Sequence, residues 1–270
     1  MRLSLRIWRQ PGPSAPGRFE RFELDDLSPT LTLLEALDVL NQRLITKGAT
    51  PVAFESDCRE GICGACGVVI AGHPHGPQAR RATCEVRLAD LVDIDGNIDG
   101  AGANDTSRSP RPPEITLEPF RAGAFPVLRD LVVDRSALDR VIQAGGYVSV
   151  RTGNAPEANA IPIGKATAER ALDAAACIGC GACVAACPNA SAALFVGAKV
   201  SHLAALPQGR VERATRARSL VAAADQEGFG ACTSIGECHA ACPKGISLRV
   251  ISELNREVLR PREDGERGAA

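Results

Sequence analysis

Residues 177–188 read Cys-Ile-Gly-Cys-Gly-Ala-Cys-Val-Ala-Ala-Cys-Pro, the first of two similar cysteine runs. Residues 232–243 read Cys-Thr-Ser-Ile-Gly-Glu-Cys-His-Ala-Ala-Cys-Pro, so the second run repeats the spacing but has Ile235 where the first has its second cysteine. The first spacing is typical of proteins that bind two iron–sulfur clusters, in which the fourth cysteine of each run ligates the other cluster. The two runs therefore predict a two-cluster fold for this half of the chain.

Exchange of the fourth ligands between the runs predicts one complete and one incomplete ligand set. The complete set suits a [4Fe–4S] cluster and consists of Cys177, Cys180, Cys183 and Cys242. The incomplete set consists of Cys187, Cys232 and Cys238. Because the apolar Ile235 stands at the vacant fourth-ligand position, we expect a [3Fe–4S] cluster there.

A separate group of cysteines lies nearer the N-terminus. It consists of Cys58, Cys63, Cys66 and Cys84, and its first three members have the spacing of a plant-type [2Fe–2S] ferredoxin. Gly61, Gly64 and Gly67 lie between or beside these ligands, and glycine permits the tight turns that direct N–H groups at sulfur. A zinc site is the alternative, but it usually pairs two short Cys-x2-Cys or His knuckles and fits this spacing poorly. The three groups account for all eleven cysteines.

The composition argues against several other classes of protein. The chain has 270 residues, enough to bury a core without a disulfide framework, and eleven cysteines would leave one unpaired. No secretory signal peptide is apparent, so we expect a reducing compartment, where clustered cysteines bind metals. The formal net charge of −1 gives no basis for a nucleic-acid partner. Residues 174–198 carry no charge but include four cysteines and Pro188, so we predict no transmembrane segment.

The hydrophobic pattern predicts an α+β chain of two domains. Leu3, Leu5 and Ile7 alternate with polar residues as in a half-buried strand, and residues 18–24 are its predicted hairpin partner. Further predicted elements are a helix from Ser28-Pro29 to Gly48, strands at 67–72 and 85–88, and helices at 134–145, 210–224 and 247–259. The Gly- and Pro-rich residues 100–113 predict a loop between an N-terminal domain, 1–118, and an all-α domain, 119–270.

The order, identity and spacing of the three cysteine groups resemble the iron–sulfur subunit of succinate dehydrogenase and fumarate reductase, from about Arg2 to Leu259. The resemblance implies an N-terminal β-grasp [2Fe–2S] ferredoxin-like domain followed by a helical two-cluster ferredoxin-like domain. It also implies that electrons pass from FAD on a flavoprotein subunit through [2Fe–2S], [4Fe–4S] and [3Fe–4S] to quinone at a membrane anchor. We expect no catalytic residue on this chain, because no flavin or dicarboxylate motif is apparent.

The same resemblance predicts partners and a location. The partners are a flavoprotein subunit and one or more membrane-anchor subunits, of which cytochrome b is one form. The chain is then peripheral, on the cytoplasmic side of a bacterial plasma membrane. By analogy with the family, the quinone-facing candidates are the residues around the vacant ligand position, namely Pro188, Thr233, Ile235 and His239.

Two positions depart from the ubiquinone-reducing members of the family. Those members resemble one another in having Pro-Ser after the Cys-Pro of the first run and His after the first cysteine of the second, whereas this chain has Asn189 and Thr233. The sequence Cys187-Pro188-Asn189 is more similar to menaquinone-linked members from Gram-positive bacteria, so the resemblance favours menaquinone. Two alternatives stay open: a quinol:fumarate reductase subunit and a free-standing ferredoxin-type carrier.

Other residues allow plainer interpretations. His73 and His75 lie among Gly and Pro and predict a solvated loop. The four arginines between residues 210 and 218 predict the exposed side of a helix.

Overall fold

A computed structural model describes residues 1–92, 113–149 and 153–261. The predicted interdomain loop at 100–113 lies outside the described residues, except for its last position. The strands are β1 (Leu3–Arg9), β2 (Arg18–Leu24), β3 (Val68–Ile70), β4 (His73–Pro74), β5 (Glu114–Pro119), β6 (Val127–Arg129) and β7 (Val132–Val133). The helices are α1 (Leu33–Thr46), α2 (Leu88–Leu91), α3 (Ser136–Gln143), α4 (Lys165–Ala175), α5 (Ala182–Ala186), α6 (Ala193–Ala205), α7 (Arg213–Gln226), α8 (Glu237–Ala240) and α9 (Arg249–Leu259).

The N-terminal part is a mixed sheet covered by one helix. Its five strands lie in the order β2-β1-β5-β3-β4, with β1 and β5 parallel and the other pairs antiparallel. The predicted hairpin of β1 and β2 is confirmed, with Leu3 opposite Leu24. The buried side chains of β1 and of α1 belong to one core, as the alternation on β1 and the leucine spacing on α1 require.

Helix α1 begins at Leu33 rather than directly after Pro29. Thr32 and Glu35 form a capping box: the Glu35 N–H donates to the Thr32 hydroxyl (3.3 Å), and the Thr32 N–H donates to the Glu35 carboxylate (2.7 Å). The predicted strand at 85–88 is wrong. A 3₁₀ turn at Thr83–Glu85 and α2 lie there instead, because the Glu85 carboxylate accepts from the Ala82 N–H (2.9 Å) and closes the turn.

The C-terminal part is built around α6, which packs against α4, α7 and α9. Nine of the thirteen residues of α6 are buried, which explains why the sequence before Lys199 carries no charge. In the ranges that the structure describes, no helix is both long enough and apolar enough to cross a membrane. The predicted helices at 210–224 and 247–259 correspond to α7 and α9.

The prediction that residues 119–270 are all helical needs one correction. Strands β6 and β7 form a two-stranded sheet there, and the turn between them inserts into the N-terminal part. The buried Asp130 carboxylate accepts hydrogen bonds from the N–H groups of Gln10 (2.8 Å) and Ala53 (2.9 Å). Leu131 belongs to the core of the sheet domain. The sequence did not predict that this turn contacts the N-terminal part, because Gln10 and Ala53 are distant from Asp130 in the sequence.

The arginines near α7 also differ from the prediction. Arg216 is buried, and its guanidinium donates to the carbonyls of Gly145, Tyr147 and Gly209 at 2.9–3.0 Å. Arg213 forms a two-point ion pair with Glu257 of α9. These side chains therefore hold the helical core together instead of forming a solvated face.

Candidate iron–sulfur sites

The first site is built on the loop before β3. Cys58 and Cys63 are half-buried, whereas Cys66 and Cys84 are buried, and none of the four is in a disulfide. Positive φ angles at Arg59, Gly61 and Gly64 curl the chain so that its N–H groups face sulfur. Cys58 Sγ accepts from Glu60, Ile62 and Cys63 at 3.3–3.5 Å, Cys63 Sγ from Ala65 at 3.4 Å, and Cys84 Sγ from Gly61 at 3.2 Å.

The thiols of this loop differ in acidity. Hydrogen bonds from the backbone of Glu60 and then Ile62 lower the pKa of Cys58 to about 7. Burial raises the pKa of Cys66 to about 12, and the neighbouring Cys84 adds to the increase. A buried thiolate at Cys66 therefore needs a compensating positive charge, which iron supplies on binding.

The second site is a cavity at the start of α5. Its walls include four cysteines from both predicted runs, Cys177, Cys180, Cys183 and Cys242. Burial raises the pKa of Cys180 to about 12 and that of Cys183 well above its usual range. Lys244 also lines the cavity and contributes a positive charge to it. The Ile246 N–H donates to Cys242 Sγ (3.4 Å).

The third site is a cavity between the end of the first run and the start of α8. Its walls include three cysteines, Cys187, Cys232 and Cys238, together with Pro188, Thr233 and Ile235. The Asn189 amide donates to the Thr233 hydroxyl (2.9 Å) and so ties the two runs together. Ile235 is 55% exposed, so the position without a cysteine is on the surface.

Two histidines lie near these sites in unexpected surroundings. His239 is not among the residues that line the third cavity, and its Nδ1 pairs with the Ile246 carbonyl (2.8 Å). His75 is 1% exposed, so the predicted solvated loop is wrong for it. The Thr83 N–H donates to His75 Nδ1 (3.2 Å), and burial lowers the pKa of His75 to about 4. No spacing signal in the sequence distinguished His75 from the exposed His73.

The donors at the three sites fit iron–sulfur clusters. At the first two sites, backbone N–H groups donate to free thiols, which suits an anionic iron–sulfur cluster. At the third site, three free thiols line one cavity.

The loops of the first two sites touch each other at Gly64. Its φ is +75°, and a Cβ at this position would lie 2.5 Å from the Ile178 carbonyl oxygen and 3.1 Å from Cys180 Cα. Glycine is therefore required for the observed contact, both for its backbone conformation and for the close approach.

Replacing Gly64 with alanine is expected to destabilise the protein by about 1–3 kcal/mol, because the left-handed backbone is strained and the two loops must separate. Thermal unfolding of the purified complex measures the loss. The matched control is Gly123→Ala, because a Cβ at Gly123 meets nothing within 4 Å. Equal unfolding temperatures for the two variants would contradict the close contact.

Two family models match the chain. One, described as a 2Fe-2S iron-sulfur cluster binding domain, matches residues 4–140, and the other, described as a 4Fe-4S dicluster domain, matches residues 173–246. Both matches lie on the parts of the chain where the structure groups the cysteines. Fold and site thus define a protein with ferredoxin-type domains for electron transfer.

Relatives of known type identify the family. The chain is 29% identical to a succinate dehydrogenase iron-sulfur subunit of Bacillus subtilis, over 93% of this chain and 90% of that protein. It is 32% identical to a fumarate reductase iron-sulfur subunit of Mycobacterium tuberculosis, over 90% of this chain and 86% of that protein. The chain belongs to the family of succinate dehydrogenase and fumarate reductase iron–sulfur subunits, which are parts of oxidoreductase complexes.

A solved structure shares the fold. A chain of a structure described as "Mycobacterium smegmatis Sdh1 complex in the apo form" matches with a TM-score of 0.59 and 19% identity, over 96% of this chain and 98% of that chain. At this identity the match concerns the fold alone. The resemblance found in the sequence is confirmed by the relatives, and the α+β class is confirmed by the sheet and helices.

Proposed function

We propose that the chain relays single electrons from FAD on a flavoprotein subunit to quinone at a membrane anchor, within a succinate:quinone oxidoreductase. The observation that carries the proposal is the placement of the eleven cysteines: four lie between residues 58 and 84, and the other seven line two cavities in sets of four and three. Such clusters accept and release one electron each. Succinate oxidation yields two electrons, so a one-electron relay suits a chain whose sequence carries no flavin or dicarboxylate motif.

We assign the cysteine ligands as follows: [2Fe–2S] to Cys58, Cys63, Cys66 and Cys84; [4Fe–4S] to Cys177, Cys180, Cys183 and Cys242; [3Fe–4S] to Cys187, Cys232 and Cys238. Backbone N–H groups directed at sulfur favour the more negative, reduced state and so raise the reduction potential.

We further infer a β-grasp domain over 1–118 and a helical two-cluster domain over 119–270. The mixed sheet with its covering helix supports the first domain, and the two cysteine-lined cavities among the later helices support the second.

We infer that the quinone-facing side is the surface around the third site. Pro188, Thr233 and Ile235 line that cavity, and Thr233 and Ile235 are exposed. Menaquinone is the proposed acceptor, because Asn189 and Thr233 depart from the ubiquinone-reducing pattern and Cys-Pro-Asn is more similar to menaquinone-linked members. His239, beside Cys238, stays a candidate on this side. The anchor then holds the chain at the cytoplasmic face of a bacterial plasma membrane.

The reverse reaction is the second candidate function, because one of the two relatives above is named for fumarate reductase. The potentials and the quinone pool decide the direction. Rates of succinate oxidation and fumarate reduction, measured with menaquinone analogues on the purified complex, distinguish the two. Recovery of the native protein without a flavoprotein and an anchor would favour a free-standing carrier instead.

The proposal is tested by iron analysis and electron paramagnetic resonance (EPR) of the purified complex. We expect nine irons per chain, two, four and three, for the cluster types named above. We also expect a [3Fe–4S] signal in the oxidised state. Eleven irons, or zinc at any of the three sites, would overturn the assignment.

A further inference from the structure

Arg135 connects the loops of the first two sites. It precedes α3, where the Asp134 carboxylate accepts from the Ser136 N–H (2.8 Å) and fixes the start of the helix. One guanidinium nitrogen, Nη1, donates to the carbonyls of Gly64 (2.6 Å) and Cys180 (3.1 Å). Gly64 belongs to the loop of the first site, and Cys180 belongs to the second. One side-chain nitrogen therefore holds both loops.

The second guanidinium nitrogen extends the same contact. Nη2 donates to the Ala65 carbonyl (3.4 Å) and lies 3.3 Å from the Glu55 carboxylate. The Arg135 side chain is 20% exposed and that of Glu55 is 44% exposed. The positive charge is therefore the better shielded member of the pair, and its carboxylate partner offsets it only in part.

A partly buried positive charge near two iron–sulfur clusters affects their reduction potentials. Reduction adds one negative charge to each carrier, so a nearby cation favours the reduced form and raises the reduction potential. A planar guanidinium also fixes the separation of two carbonyl-bearing loops, which the single ammonium of lysine cannot do equally well. Arg135 can thus affect both the reduction potentials of the first two clusters and the distance between their loops.

We propose that Arg135 is a positioning residue that holds the first two cluster loops together and raises the reduction potentials of both clusters. The inference rests on the proposed ligand assignment. It concerns electron transfer between the first two sites, which lie on different domains. Glu55 moderates the effect by partly neutralising the guanidinium.

The test is a redox titration followed by EPR on the purified complex. We expect Arg135→Gln to shift the reduction equilibrium of each of the two clusters about tenfold toward the oxidised form, a fall of about 59 mV in each potential. Arg135→Lys keeps the charge but weakens the bridge. The potentials of Arg135→Lys should therefore lie nearer the parent values than those of Arg135→Gln. The weaker bridge should reduce the magnetic interaction between the two reduced clusters.

Two further variants test whether the charge near the clusters sets the direction in which the reduction potentials shift. Glu55→Gln removes the offsetting charge and should raise both potentials, by less than the Arg135 change lowers them. Arg140→Gln is the matched control, because Arg140 lies on α3 but pairs with Glu227 at the exposed side. It should leave both potentials unchanged.

The outcomes separate this inference from the proposed function. If all three cluster signals persist and neither Arg135→Gln nor Glu55→Gln moves the first two potentials, Arg135 has no tuning role, although the relay stands. Potentials that fall in both variants would also contradict the inference, because opposite charge changes must give opposite shifts. If the parent complex lacks the three signals, the proposed function itself fails. Should Arg135→Gln not assemble, Glu55→Gln and Arg135→Lys still decide the matter.

Discussion

Replacing Cys180 with alanine is expected to remove the [4Fe–4S] cluster and stop electron flow from succinate to quinone. Cys180 is 8% exposed, and its cavity offers three other thiols from both runs. Mutating a residue that only hydrogen-bonds to a metal ligand typically lowers metal affinity or activity by roughly 10–100-fold. Removing a ligand itself should lower the activity further. We therefore expect quinone reduction to fall by more than about a hundredfold.

Iron analysis and EPR measure the result of this change. The reduced [4Fe–4S] signal should vanish, and the iron content should fall below nine per chain. The matched control is Val184→Ala on α5, the short helix that begins two residues after Cys180; this change removes buried apolar volume and leaves every thiol in place. If that control loses the signal equally, the effect of Cys180→Ala comes from packing and not from ligation.

Replacing Ile235 with cysteine is expected to convert the third cluster from [3Fe–4S] to [4Fe–4S]. Ile235 lines the cavity together with the three cysteines of the incomplete set, so a thiol at this position completes it. The added thiolate charge favours the oxidised form. We expect the reduction equilibrium to shift at least about a hundredfold, a fall of roughly 120 mV, and quinone reduction to slow accordingly.

The iron content should rise to ten per chain, and the [3Fe–4S] signal of the oxidised state should disappear. Ile235→Ser is the matched control, because it removes the apolar side chain at the exposed position without supplying a thiolate. An unchanged spectrum, with the new thiol open to alkylation, would show that Ile235 does not occupy the fourth-ligand position.

The cysteine groups could be predicted from the sequence because ligands on a short loop have a fixed order and spacing. Cysteines from both runs line each of two cavities in the structure. Strand β1 and helix α1 were predictable for a similar reason, since their apolar residues repeat with the period of the element. In each case the signal lies within one short stretch of chain.

The contacts between distant stretches could not be predicted. Arg135 contacts loops about seventy and forty-five residues away, and Arg216 is buried by carbonyls that lie across the fold. His75 looked like a loop residue because nothing near it in sequence shows that Phe120 packs on its ring. A charged residue with a distant partner has the same local pattern as a solvated one.

The turn between β6 and β7 follows residue 118 in the sequence but packs into the N-terminal part of the fold. Asp130 and Leu131 belong to the second half by sequence, but they complete the hydrogen bonds and the core of the first. A fragment ending at residue 118 would leave the amides of Gln10 and Ala53 without their carboxylate and uncover apolar surface. The stretch of chain that carries the first set of thiols therefore depends on the β6–β7 turn for its stability, and we expect the two halves to unfold together in one transition.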